Sequence, residues 1–138
     1  MATVLFLCTG NTCRSPMAEC LFRAMNPKHQ ALSAGISTVD GAPASVGARR
    51  AMQRRGLSLE QHRSRQLTRP LLQKADLVIG MSENHIAVLR AMFPDLRVQA
   101  LTFSPPIADP YGGGDQEYEQ AAAALEKQIR SLIQNGIF

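Results

Sequence analysis

A short apolar run, Thr3-Val-Leu-Phe-Leu-Cys8, leads through a tight polar segment into Ser15-Pro16 and an amphipathic stretch ending at Asn26-Pro27. A continuous apolar run of this length predicts a strand buried on both faces, the kind found in parallel sheets. Serine suits a helix N-cap and proline the first helical position, so a helix is expected to open at Ser15-Pro16. Ala18, Leu21, Phe22 and Met25 supply its apolar stripe. A buried strand joined directly to a helix restricts the chain to an α/β architecture.

The rest of the chain repeats the alternation. Ala31–Gly35, Ala75–Met81 and Arg97–Leu101 read as further strands; Pro43–Arg55, Arg69–Lys74, Ser82–Phe93 and Gln116–Gln134 read as helices. Pro105–Gly114 is a loop rich in proline and glycine. Strands alternating with helices imply a mainly parallel sheet covered on both faces. With 138 residues and neither repeat nor linker, residues 1–138 are read as one domain. No apolar run approaches the ~20 residues that span a bilayer. Val4–Leu7, with no basic segment before it, is too short for a signal-peptide core.

The three cysteines, Cys8, Cys13 and Cys20, are odd in number and confined to the first twenty residues. That is not a disulfide framework, and no His/Cys spacing suggests zinc. A reduced, cytoplasmic protein without a metal is expected. Net charge is +4, but Arg49 to Arg69 holds seven arginines against Glu60 alone, a local +6 that leaves −2 elsewhere. This cluster reads either as a solvated surface or as a docking face for an anionic substrate. Specific nucleic-acid binding is not expected, because interleaved aromatics and recognised motifs are missing. Neither glycine-rich nucleotide fingerprint follows a strand.

In open parallel sheets ligands bind beyond the carboxyl ends of the strands, which directs attention to Cys8. The loop Thr9-Gly10-Asn11-Thr12-Cys13-Arg14-Ser15 would turn its amides, together with those of the helix start, toward a tetrahedral oxyanion. Gly10 permits close backbone approach and Asn11 tolerates positive φ. Arg14 can grip two phosphate oxygens, and Ser15 can hydrogen-bond a thiolate. The helix N-terminus and the arginine predict a lowered Cys8 pKa and a thiolate nucleophile at neutral pH.

The segment from Val4 to Glu19, VLFLCTGNTCRSPMAE, closely resembles the phosphate-binding loop of low-molecular-weight protein tyrosine phosphatases. The resemblance continues in order through Ser33-Ala-Gly35, His62 with Arg65, Asp76-Leu-Val-Ile and Asp109-Pro-Tyr111. It implies a small doubly wound, flavodoxin-like domain with a four-stranded parallel sheet flanked by helices. It makes Cys8 the nucleophile of a phosphocysteine intermediate, with Arg14 and the loop amides holding the equatorial oxygens. Asp109, by itself only a turn residue in a glycine-rich loop, becomes the general acid and then the base for water. Ser33 and His62 would hold Asn11 through its side chain, and Tyr111 would flank the substrate. A cofactor-free monomer acting on phosphorylated proteins is implied.

Thr12 stands where the animal enzymes carry an aliphatic residue, and Ile36–Ser45, expected to form one pocket wall, contains no aromatic. Threonine at that loop position resembles the family's bacterial protein arginine phosphatases. The Thr12 hydroxyl could accept from a guanidinium and orient water, which favours phosphoarginine over phosphotyrosine as substrate. Arsenate reductases share fold and loop but resolve their cysteine with downstream cysteines, and none follows Cys20 here. Cys8 and Cys13 could form a reversible disulfide that shields the nucleophile. Cys20 is expected to pack, and His29 and His85, without a motif, to lie on the surface.

Overall fold

The computed structural model describes residues 1–138. Four strands, β1 (Thr3–Cys8), β2 (Gln30–Gly35), β3 (Leu77–Gly80) and β4 (Gln99–Thr102), form one parallel sheet in the order β2-β1-β3-β4. The helices are α1 (Arg14–Met25), α2 (Val46–Gln53), α3 (Arg69–Lys74), α4 (Glu83–Met92) and α5 (Asp115–Gln134). β1 is central and its residues from Val4 to Cys8 are all buried. Alternation along it sends Val4, Phe6 and Cys8 into a core with α1, α2 and α5. Leu5 and Leu7 face the opposite layer, with Leu72 of α3 and Leu89 of α4. Both sheet faces are therefore covered, as uninterrupted apolar strands require.

Several boundaries differ from expectation for local reasons. α1 begins at Arg14, and Cys13 occupies the cap position without a side-chain cap bond. Ser15 is not the cap because its hydroxyl is directed to Cys8 and Asn11. Pro16 falls inside the first turn, where its missing N–H costs nothing. α2 starts late, at Val46, since Ser45 Oγ accepts from the Ala48 amide and fixes the cap there.

The arginine cluster is mostly committed within the fold. Arg54 and Arg55 both reach Glu119 on α5, at 2.7 and 2.8 Å, and Arg55 also reaches Glu126 at 3.0 Å. Arg50 lies 3.5 Å from Asp115, Arg49 3.5 Å from Glu60, and Arg69 2.8 Å from Asp95. The two guanidiniums beside it hold the Glu119 carboxyl down to about 2. Five of the seven cations thus serve ion pairs, most of them stitching the α2 region to α5, rather than forming one docking face. No helix is long and apolar enough to cross a membrane.

Candidate active site

The loop between β1 and α1 closes over the carboxyl edge of the sheet. Its shape depends on Asn11, which is fully buried with φ of 57°. That left-handed conformation is one that asparagine tolerates better than most residues. Every polar group of its side chain is used. Nδ2 donates to Ser15 Oγ at 2.8 Å and Ser33 Oγ at 3.0 Å, and Oδ1 accepts from the Arg65 amide at 2.9 Å. His62 Nε2 donates to the Asn11 carbonyl at 2.7 Å, so this histidine grips the backbone and not, as expected, the side chain. Ser33 Oγ in turn donates to Glu19 at 2.6 Å. Gly35 is needed where the loop crosses β2, because a Cβ there would lie 2.6 Å from the Thr9 carbonyl oxygen.

Cys8 Sγ sits at the bottom, with the Ser15 hydroxyl 2.8 Å away and the Asn11 amide donating at 3.3 Å. Arg14 is buried; its Nη1 donates to the Ile107 carbonyl at 3.0 Å and its Nη2 lies 3.6 Å from Asp109 Oδ2. The arginine therefore links the loop to the segment carrying Asp109. That carboxylate is half exposed and also accepts from the Tyr111 amide at 3.1 Å. Cys8, Thr9, Gly10, Asn11, Thr12, Cys13, Arg14, Asp109 and Tyr111 together line one pocket of about 270 Å³. Tyr111 is the only aromatic in that lining and is 76% exposed.

Three expectations need correction here. Burial is the largest influence on Cys8 and pushes its thiol up, against the lowering effects of the Ser15 hydroxyl, the Ser15 and Asn11 amides and Arg14. The helix end and arginine do favour the thiolate, but desolvation outweighs them, so the predicted lowering is not seen. Ile36–Ser45 does not line the pocket; it braces the loop from outside, with the Ile36, Ser37 and Ser45 amides donating to the Cys8, Thr9 and Thr12 carbonyls at 2.9, 3.1 and 2.9 Å. His85 is no surface residue: it is 2% exposed, and its Nε2 lies 3.0 Å from Thr9 Oγ1. Nothing in the sequence around His85 marks it, beyond its place three residues after Ser82 at a helix start. His29 is likewise partnered, accepting from the Ala2 amide at 2.8 Å.

Cys13 is buried beside the Tyr118 hydroxyl at 3.3 Å and Ser45 Oγ at 3.4 Å, and all three cysteines are free thiols. Cys20 packs at the margin of the core. No group of three or more His, Cys, Asp or Glu side chains converges to hold a metal ion. A larger groove, about 840 Å³, opens behind the loop between Cys20, Asp40, His62 and Arg65, but Cys8 is not part of its lining.

The model of the family described as "Low molecular weight phosphotyrosine protein phosphatase" matches residues 3–135. The low molecular weight protein-tyrosine-phosphatase Wzb of Salmonella typhi is 33% identical over 136 residues, 95% of this chain and 91% of that one. The solved YwlE arginine phosphatase of Geobacillus stearothermophilus superposes with a TM-score of 0.91 at 34% identity, covering 98% of this chain and 92% of that one. A cysteine-to-serine variant of YwlE arginine phosphatase, carrying a phosphorylated active-site serine, has a TM-score of 0.91 at 31% identity, with 96% and 94% covered.

Proposed function

The chain belongs to the low molecular weight phosphotyrosine protein phosphatase family, and on that premise we propose that it hydrolyses phosphoarginine in proteins through a phosphocysteine on Cys8.

Cys8 attacks phosphorus from the floor of the pocket in its deprotonated form, which Ser15, the loop amides and Arg14 favour against burial, and an S–P bond forms. The bond from phosphorus to the guanidino nitrogen breaks, its electron pair passes to nitrogen, and Asp109 supplies the proton. The loop amides and the Arg14 fork meet the three equatorial oxygens, whose charge the transition state spreads. Water then attacks the phosphocysteine, Asp109 takes its proton, and the S–P electrons return to sulfur, where Ser15 donates to the departing thiolate. Asp109 suits both half-reactions because it lies at the rim, half exposed, yet within 3.6 Å of Arg14.

The observation that carries phosphoarginine is the Thr12 side chain. It lines the pocket, and its hydroxyl has no partner nearer than Cys13 Sγ at 3.8 Å. An uncommitted hydroxyl beside the phosphate site offers an acceptor to guanidinium N–H groups, which an aliphatic residue would leave unpaired at about 1–3 kcal/mol. The solved arginine phosphatase among the similar structures supports the same reading. Phosphotyrosine is the second reading, favoured by the exposed Tyr111 ring at the rim and by the relative named as a tyrosine phosphatase. Turnover of matched phosphoarginine and phosphotyrosine peptides by wild type and Thr12→Ile separates them. The proposal expects the variant to lose about 5- to 100-fold in the phosphoarginine-to-phosphotyrosine ratio of kcat/KM. An unchanged ratio would show that Thr12 does not select the substrate.

A further inference from the structure

We propose that His85 is a positioning residue of the phosphatase reaction, holding the first half of the phosphate-binding loop through Thr9. The inference rests on the reading of Cys8 and its loop as the active site.

His85 enters the loop from the layer opposite to α1. The Met81 amide donates to the Leu7 carbonyl at 3.0 Å, so the chain leaving β3 starts α4 beside the end of β1. Gly80 lets the first turn of α4 press on the sheet, since a Cβ there would lie 2.9 Å from Ile86. His85, the third residue of α4, is thereby aimed across the sheet edge at Thr9.

The ring's tautomer follows from its contacts. The Ser82 amide donates to Nδ1 at 3.1 Å, and the Ser82 hydroxyl lies 2.9 Å from the same atom. Nδ1 is therefore the acceptor, and Nε2 carries the hydrogen that points to Thr9 Oγ1 at 3.0 Å. Burial, with Arg14 acting in the same direction and Asp109 against it, brings the imidazole down to about 4 and keeps it neutral. Thr9 Oγ1, having accepted that hydrogen, keeps its own proton to offer elsewhere in the pocket.

Thr9 is also tied on its other side, where its carbonyl accepts from the Ser37 amide at 3.1 Å. The residue after the nucleophile is thus fixed from the end of β2 by Ser37 and from α4 by His85, while Asn11 and His62 fix the middle of the loop. Loop amides stabilise a transition state only when their directions are set beforehand, and errors of about half an ångström matter. Releasing Thr9 is expected to loosen complementarity to the trigonal bipyramid more than to the tetrahedral ground state.

The test compares wild type, His85→Ala, Thr9→Val, the double variant and His85→Gln, with kcat, KM, and inhibition by vanadate and by inorganic phosphate. Glutamine at this helix position can accept from the Ser82 amide and still present a donor toward Thr9. His85→Ala and Thr9→Val are each expected to lower kcat about 5- to 30-fold with little change in KM, as for a lost hydrogen bond. Vanadate affinity should fall in parallel, phosphate affinity by less than about threefold. The double variant should be no slower than the slower single one, and His85→Gln should recover most of the loss. Thr9 is exposed, so its variant reports even if His85→Ala folds poorly. Losses that multiply in the double variant, or vanadate affinity unchanged in both singles, would overturn the proposal. Cys8→Ser, measured alongside, tests the site itself: turnover surviving there defeats the reading of the site rather than the role of His85.

Discussion

Ser15 Oγ lies 2.8 Å from Cys8 Sγ while accepting a hydrogen bond of the same length from Asn11 Nδ2. A hydroxyl has one proton, and since Asn11 comes as a donor, that proton is free for sulfur. Ser15 is therefore directed to donate to the thiolate. It opposes the burial that pushes the Cys8 thiol up. Ser15→Ala should raise the thiol further and slow both half-reactions, by about 10- to 100-fold for the lost bond to a charged group. The rate of Cys8 alkylation by iodoacetamide against pH checks this: the variant's profile should be displaced to higher pH. An unshifted profile would remove Ser15 from the mechanism.

Asp109→Asn is expected to lower kcat by about 10² to 10⁴ through loss of general acid–base catalysis. The loss should be smallest in the first half-reaction for aryl phosphates with good leaving groups, which need no proton. A rapid-quench series across leaving groups measures it. An effect independent of the leaving group in that half-reaction would mean that Asp109 acts only on Arg14, 3.6 Å away.

Asn11→Ala should be among the most destabilising substitutions in the loop. It removes the side-chain bonds to Ser15, Ser33 and the Arg65 amide and leaves alanine at φ of 57°. Left-handed backbone costs alanine about 1–2 kcal/mol, and unpaired buried groups add about 1–3 kcal/mol. Urea denaturation should show a loss of about 2–5 kcal/mol. A loss below about 1 kcal/mol would mean the loop relaxes without its asparagine.

Stability should fall on mild acidification because of His85. The folded protein holds this imidazole at about 4, below its ordinary 6.5. Between those values the unfolded chain binds a proton that the folded one does not, so stability rises with pH there and is lost as pH falls. The integrated effect is on the order of 3 kcal/mol. Denaturation at about pH 7 and about pH 4.5 should show a clear deficit at the lower pH, smaller in His85→Gln. Equal deficits in the two proteins would place the acid sensitivity elsewhere.

How far the sequence discloses this site depends on whether a contact is local. The loop from Cys8 to Ser15 is legible because strand, turn and helix are contiguous, and the apolar run of β1 sets the sheet. Arg14 and Asp109 are far apart in the chain, and only the family resemblance joins them. His85 is illegible for a plain reason: its value lies in a contact across 76 residues with Thr9, set up by packing at Gly80. The Cys8 thiol departs from expectation because the charges that lower it are written in the loop, whereas the burial that raises it comes from the whole core. The arginines of the α2 region read as a surplus until α5, placed beside them by the fold, supplies Asp115, Glu119 and Glu126.

The most direct test is chemical quench of the enzyme in turnover with a phosphopeptide, followed by mass spectrometry of the peptide containing Cys8. A transient phosphoryl group on Cys8, together with no turnover by Cys8→Ser, is the predicted result. Turnover by Cys8→Ser, or turnover by wild type with no phosphoryl group ever on Cys8, would contradict the account.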